Sequence, residues 1–286
     1  MALLQNPHDQ LGATVLDALS HTQRLPSLSP DVRRIVTLLD DPDCASWTLA
    51  ELIFRDQSLS TEILKLVNSS LYGLRRRVSS IQHAIALLGF SAMRSLVMSH
   101  SVSGIIAREF PELQDHSLAA ARAALWIAQR VGIEEPDRCY TAGLIHDLGK
   151  VIVVSRMKAE YARIRAVVCD RGCLMRDAEA EILGCDHADI GAWLLDRWRL
   201  PPALICAVAG HHRFGTDTEE QPVTAAVHLA DVLVRAECFG WAGDPTVPVL
   251  EPLVLEVLNL ETDDLEQIMK ALPGLMDSIE RCWRTS

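Results

Sequence analysis

The sequence predicts an all-α protein, on three observations. Helical apolar periodicity runs nearly end to end, no convincing strand pair interrupts it, and the apolar residues are aliphatic rather than aromatic. Of the 286 residues 49% are hydrophobic and only 5% aromatic, with Leu, Ala, Val and Ile dominating. That mix packs helices through aliphatic faces and readily supplies a core. The short segments and tight connections make a multi-helix bundle the consistent architecture.

Taken in order, Ser29-Pro30 forms an N-cap and first-turn proline for a helix carrying Ile35, Leu38 and Leu39. Thr48 to Glu51 has the capping-box pattern ahead of Leu52, Ile53 and Phe54. Ser58 then opens a helix with the stripe Leu59, Ile63, Leu66 and Val67, and Ser80 opens residues 81–88, which Gly89 terminates. Helices are further expected over 91–107, 116–130 (stopped by Gly132), 137–157, 159–171, 176–183, 187–198, 201–210 and 222–239. The tail, 252–258 and 263–283, is amphipathic and is expected to pack back on the body.

The division expected is an N-terminal helical subdomain over 1–111, a second helical subdomain over 112–240 and a helical tail over 241–286. No Ser/Gly-rich or Pro-rich spacer separates the first two, so they are expected to share an interface. A formal net charge of −11 argues against a general phosphate-backbone binder, and nucleic acid is disfavoured as a partner. Eight cysteines without a CxxC pair, and no signal segment, point to reduced, buried thiols in the cytoplasm. The longest uncharged stretch, 95–107, is too short to span a bilayer, so no membrane partner is expected.

The chemistry lies in a series of histidines and aspartates: His116, the pair His146–Asp147 in GLIHDLGK, His187 in DHADIG, the doublet His211–His212, and Asp231 in HLADVL. Imidazole with carboxylate suits a divalent metal bound through nitrogen and oxygen, with Fe, Mn, Zn or Ni ahead of Mg. The flanks of His146 and Asp147 are apolar, so both must be buried in a helix. That is unfavourable unless each is paired or metal-bound. His116, His146, Asp147 and Asp231 are the candidate ligands of one ion. His187 with His211 or His212 would hold a second, bridged by Asp147. In the competing reading the same side chains only hydrogen-bond one another and hold helices together. Lys150 is placed to meet a substrate phosphate if the protein is an enzyme; otherwise it is an ordinary first-turn lysine. Isolated histidines such as His8, His21, His83 and His100 are read as surface or satisfied core.

The stretches 25–43, LVNSSLYG…RVSSIQHAIALLG within 48–98, AGLIHDLGKVIV, DHADIGAWLLDRWRLP and GHH resemble the HDOD family, the HD-related output domains of bacterial signalling proteins, over about residues 20–240. The resemblance implies an all-α fold related to the HD and HD-GYP phosphohydrolases and a regulatory role exerted through a protein partner, generally without catalysis. The metal-ligand-like set is complete, yet Arg213-Phe214-Gly215-Thr216 stands where the cyclic-di-GMP phosphodiesterases carry Gly-Tyr-Pro. Three functions therefore stand open: a signalling adaptor with a retained metal site, a metal-dependent phosphohydrolase acting on a nucleotide or phosphoester, and, least favoured, a nucleic-acid binder. Leu71-Tyr72-Gly73-Leu74 with Arg75, Arg76 and Arg77 is a second candidate locus, for a phosphate or an acidic partner. Its alternative is a solvated basic turn with Tyr72 packed inside.

Overall fold

A computed structural model describes residues 11–20, 25–39, 41, 43–69, 72, 74, 76–214 and 221–283, all helix, turn or irregular chain. In order the helices are α1 (Ala13–Ser20), α2 (Pro30–Leu39), α3 (Ser46–Arg55), α4 (Gln57–Val67), α5 (Ile81–Glu109), α6 (Gln114–Val131), α7 (Pro136–Ile145), α8 (Leu148–Arg156), α9 (Lys158–Arg171), α10 (Met175–Leu183), α11 (His187–Arg197), α12 (Pro202–Gly210), α13 (Gln221–Ala236), α14 (Pro252–Val257) and α15 (Thr262–Trp283). The all-α prediction holds.

Several caps fall where the sequence puts them. Ser29 accepts from the amide of Val32 at the start of α2, and Ser80 accepts from His83 at the start of α5. Gly89 lies within α5 at φ 77°, a left-handed value that breaks the helix into two segments. Two caps move. The helix expected behind Thr48 begins at Ser46, with no side-chain cap on Ala45. Asp56, not Ser58, caps α4, its carboxylate accepting from Leu59 at 2.9 Å. Both are competent caps, and the carboxylate two residues earlier wins the free amides.

The most consequential correction concerns 137–157, expected as one helix. The chain breaks between α7 and α8, and His146 and Asp147 occupy the break. Helices α2 to α4 pack around α5, which also meets α7 and α8; α6, α7 and α13 form the second bundle. A polar seam joins α5 to α7: Thr141 Oγ1 donates to Ser95 Oγ (2.7 Å), and Ser95 Oγ donates to the Asp137 carbonyl (2.7 Å). In the tail, α14 rests on α13 and α15 on α6, with Ile268, Leu272 and Met276 buried. Helix α5 is long and apolar enough to cross a membrane by composition, but it is kinked and half of its apolar window is buried in the protein.

The cysteine expectation holds only in part. Cys44, Cys139, Cys169, Cys173, Cys185, Cys206 and Cys238 form no disulfide; of these seven Cys139 and Cys185 are buried, while Cys169 and Cys238 are exposed.

Candidate metal centre

The break at His146–Asp147 gathers side chains from six helices. His116 comes from the first turn of α6, Asp147 and Lys150 from the start of α8, and His187 from the start of α11. His211 and His212 follow α12, and Asp231 lies mid-way along α13. Helix ends converge here because a terminal side chain can aim along the axis into a shared space. Close approach of α8 to α11 is permitted by Gly149: a Cβ there would lie 1.9 Å from the His187 carbonyl oxygen and 2.8 Å from the Gly191 amide nitrogen.

Every predicted ligand is brought to this place, and none is more than 6% exposed. His116, His146 and Asp231 form one set of donor atoms, and Asp147, His187, His211 and His212 another, each within 4.8 Å throughout. Asp147 lies between them. Its Oδ2 is 3.4 Å from His116 Nε2 and 3.3 Å from His146 Nε2, while its Oδ1 is 3.1 Å from His187 Nε2 and 3.8 Å from His211 Nε2. Asp231 Oδ1 stands 3.2 Å from His116 Nε2 and 3.7 Å from His146 Nε2, and those two ring nitrogens are 3.3 Å apart.

These spacings fit an ion. Donors bound tetrahedrally at about 2.1 Å stand about 3.4 Å from one another, and the measured edges of the His116, His146, Asp147 and Asp231 set scatter around that value. The outward nitrogens are fixed correctly as well. His146 Nδ1 donates to the Gly143 carbonyl and His211 Nδ1 to the Val208 carbonyl, each at 2.7 Å. Those bonds hold the tautomer that leaves Nε2 with its lone pair inward. His187 Nδ1 meets Glu179 Oε2 at 2.5 Å, the carboxylate–histidine arrangement common behind metal ligands. Asp147 Oδ1, Asp231 Oδ1 and His211 Nε2 are buried without a hydrogen-bond partner, and all belong to the donor set.

Burial is the largest single influence on each group, and the neighbours decide the outcome. For Asp147, burial favours the neutral acid, but the His146 ring and the Lys150 ammonium hold the carboxyl well below its usual range. For Asp231, the facing His116 and His146 rings do the same. Burial favours the neutral ring at His146, yet Asp147 and Asp231 lift it to about 10. Glu179 chiefly lifts His187 to about 9 against the same burial. Burial and the neighbouring rings push His211 and His212 well below the ordinary imidazole value.

Lys150 is fully buried, its ammonium donating to Asp147 Oδ2 and to the Ala242 carbonyl, both at 2.7 Å. Ala242 belongs to a strap, residues 237–251, that closes the cluster between α13 and α14. The strap backbone presses so close to α6 that a Cβ at Gly240 would lie 2.2 Å from the His116 amide nitrogen. His228, on the same face of α13 as Asp231, is fully used: its Nδ1 donates to the His211 carbonyl and its Nε2 accepts from the Glu251 amide. Sequence reasoning missed Glu179. Its signal is a carboxylate set among Met175, Ala178, Ile182 and Leu183, on the apolar stripe of α10. It also missed the strap, which has no helical periodicity to read.

The second candidate locus yields less. Tyr72 packs against the core and donates to Asp137 Oδ1 at 3.4 Å, while Arg76 and Arg77 are exposed. Leu71, Gly73 and Arg75 lie outside the described residues.

Comparison with known proteins agrees with the geometry. The family model of the HDOD domain matches residues 25–214. A solved HDOD domain protein of unknown function from Geobacter sulfurreducens superposes with a TM-score of 0.78 at 25% identity, covering 94% of this chain and 97% of that one. An uncharacterized protein of Treponema pallidum (strain Nichols) is 26% identical over 237 residues, 81% of this chain and 46% of that protein. Ribonuclease Y of Campylobacter jejuni is 28% identical over 163 residues, 57% of this chain and 24% of the enzyme. The chain thus spans less than half the length of these curated relatives.

Proposed function

Because the chain belongs to the HDOD family, we propose that it is a bacterial signalling output protein that works by binding a protein partner. In this reading the His/Asp cluster is a sealed HD-type metal centre that stabilises or tunes the fold and does not turn over substrate. The observation that carries it is burial: His116, His146, Asp147, His187, His211 and Asp231 are at most 2% exposed, and Lys150 lies beneath the strap on Asp147. A catalytic metal needs a position open to water or substrate. Charge supports the metal half of the reading. Asp147, Asp231 and Glu179 are three buried carboxylates, and Lys150 is a single buried lysine among them. The balance comes from protons on the rings or from a dication. His116, His146, Asp147 and Asp231 would hold one ion, and His187, His211 and His212, with Asp147 as bridge, a second. Fe, Mn, Zn or Ni suits this nitrogen-rich set better than Mg. The partner-binding half is supported by the N-terminal helices, where Trp47 (61% exposed) and Phe54 (76%) stand seven residues apart on one face of α3.

Elemental analysis of the purified protein and of the His146→Ala/Asp147→Ala double variant tests the reading. Near-stoichiometric transition metal, lost in the variant, is the expected result. Absence of metal from both, with the variant merely less stable, would leave a cluster that only ties helices together.

A second reading, a metal-dependent phosphohydrolase, draws on the complete donor set and on the likeness to ribonuclease Y. There the metal would supply Lewis-acid stabilisation of phosphate and an activated water. The strap would then have to open, and Asp147→Ala would abolish any phosphodiesterase turnover. Turnover unchanged in that variant sinks this reading.

A further inference from the structure

The strap has two unlike sides. Its inner side is part of the metal centre's wall: Ala242 and Asp244 are buried, the Ala242 carbonyl takes Lys150, and Asp244 accepts from the Met175 amide at 2.9 Å. Its outer side, over residues 246–250, is irregular chain without helix or turn whose exposure alternates with a period of two. Val247 is 43% exposed and Val249 80%, with Pro248 buried between them. This is a strand pattern in an otherwise helical protein. The main chain of Val247 through Leu250 makes no hydrogen bond to any described residue.

In an extended chain, alternate residues present their N–H and C=O to the same edge. Val247 and Val249 therefore offer two donors and two acceptors on one edge, and Pro248, which has no N–H, falls on the other, where no donor is needed. A free edge of this kind, with apolar side chains beside it, is what a partner strand pairs with. Charge selects the occupant further. Residues 112–286 hold seventeen Lys and Arg against twenty-eight Asp and Glu, whereas residues 1–111 hold ten of each. Exposed Glu251 and Glu256 follow the edge directly.

We propose that residues 246–250 are a docking edge on which an extended, apolar-alternating segment of a partner protein, flanked by Lys or Arg, adds as a β-strand. The proposal rests on the partner-binding reading above and gives it a place and a chemistry. Because the same strap holds Lys150 through the Ala242 carbonyl, the partner would sit directly over the metal centre's wall.

The test uses the full chain, isotope-labelled, titrated with a synthetic peptide of alternating Val and Thr capped by two Lys at each end. Controls are the same peptide with Glu in place of Lys and one with N-methylated alternate amides. At about 1 mM peptide, the affinity range of weak peptide docking, the amide signals of Val247, Val249 and Leu250 are expected to shift. Both control peptides are expected to leave them in place. Val249→Pro removes one edge donor and should weaken binding at least tenfold, while Val249→Thr, which keeps the donor, should bind as the parent does. Shifts confined to Trp47 and Phe54, no shift at 247–250, or equal binding by Val249→Pro overturns the proposal. Metal content of the same samples separates this outcome from failure of the metal reading: peptide docking with no metal leaves the edge standing alone.

Discussion

The α3 face and the His/Asp centre put polar and apolar groups in opposite places. On α3, Leu49, Leu52 and Ile53 fill an aliphatic core while Trp47 and Phe54 are left to solvent. At the centre, five histidines, two aspartates, Glu179 and Lys150 are taken out of water, with Lys150 paired to Asp147 and His187 to Glu179. The first arrangement is stable because apolar surface is buried, and the exposed aromatics contribute almost nothing to it. The second is tolerable only as a complete set, because each member removed strands another. Perturbation should therefore be felt strongly at the centre and barely at the exposed aromatics of α3.

The largest expected effect is from Asp147→Ala, which leaves Lys150, His146 and His187 facing an empty position. A loss of about 3–5 kcal/mol in denaturant unfolding is expected, and a loss below about 1 kcal/mol would mean the set is not interdependent. Gly149→Ala should follow. Its Cβ cannot coexist with the His187 carbonyl at 1.9 Å, so α8 must part from α11, with a loss of about 3 kcal/mol and weakened metal retention; unchanged metal content would break the link between helix packing and the site. Chelation comes next: a site filled at about a hundredfold over its dissociation constant contributes about 2.7 kcal/mol, and the melting temperature should fall on chelation and recover with metal.

Acidity separates the metal-free and loaded forms. Asp147 and Asp231 are held below the ordinary carboxylate range, so their contribution is present above about pH 4 and lost in acid. His146 and His187 are lifted to about 10 and 9, so theirs is full below about pH 6.5 and lost as the pH rises through those values. The chelated protein should thus lose stability from pH 7 to 9. Metal uptake needs unprotonated rings, so the gain on loading should grow over the same span; parallel trends in the two forms would contradict this. The smallest effect is on α3, where Trp47→Ser and Phe54→Ser should each stay within about 0.5 kcal/mol.

The fold was legible where local chemistry sets it. Caps at Ser29 and Ser80 and the breaks at Gly89 and Gly132 are decided by one residue and its neighbours. The choice of Asp56 over Ser58 was not, since both can cap and their competition is settled in three dimensions. At the centre the ligand-like residues were readable as a motif, but their setting was not. Apolar periodicity continues smoothly through Leu144, Ile145, Leu148 and Val151, so nothing local announces the break that aims His146 and Asp147. Glu179 and the Ala242 carbonyl belong to the centre only through contacts distant in sequence. The strap that seals it carries no pattern beyond two alternating valines.

The most direct test of the sealed centre is proton relaxation of water by the Mn-loaded protein. A centre enclosed by protein donors beneath the strap predicts relaxivity no greater than that of ions whose bound positions exchange no water. Relaxivity well above that level, lost on adding a phosphate ester, would reveal an open coordination position and contradict the sealed, non-catalytic account.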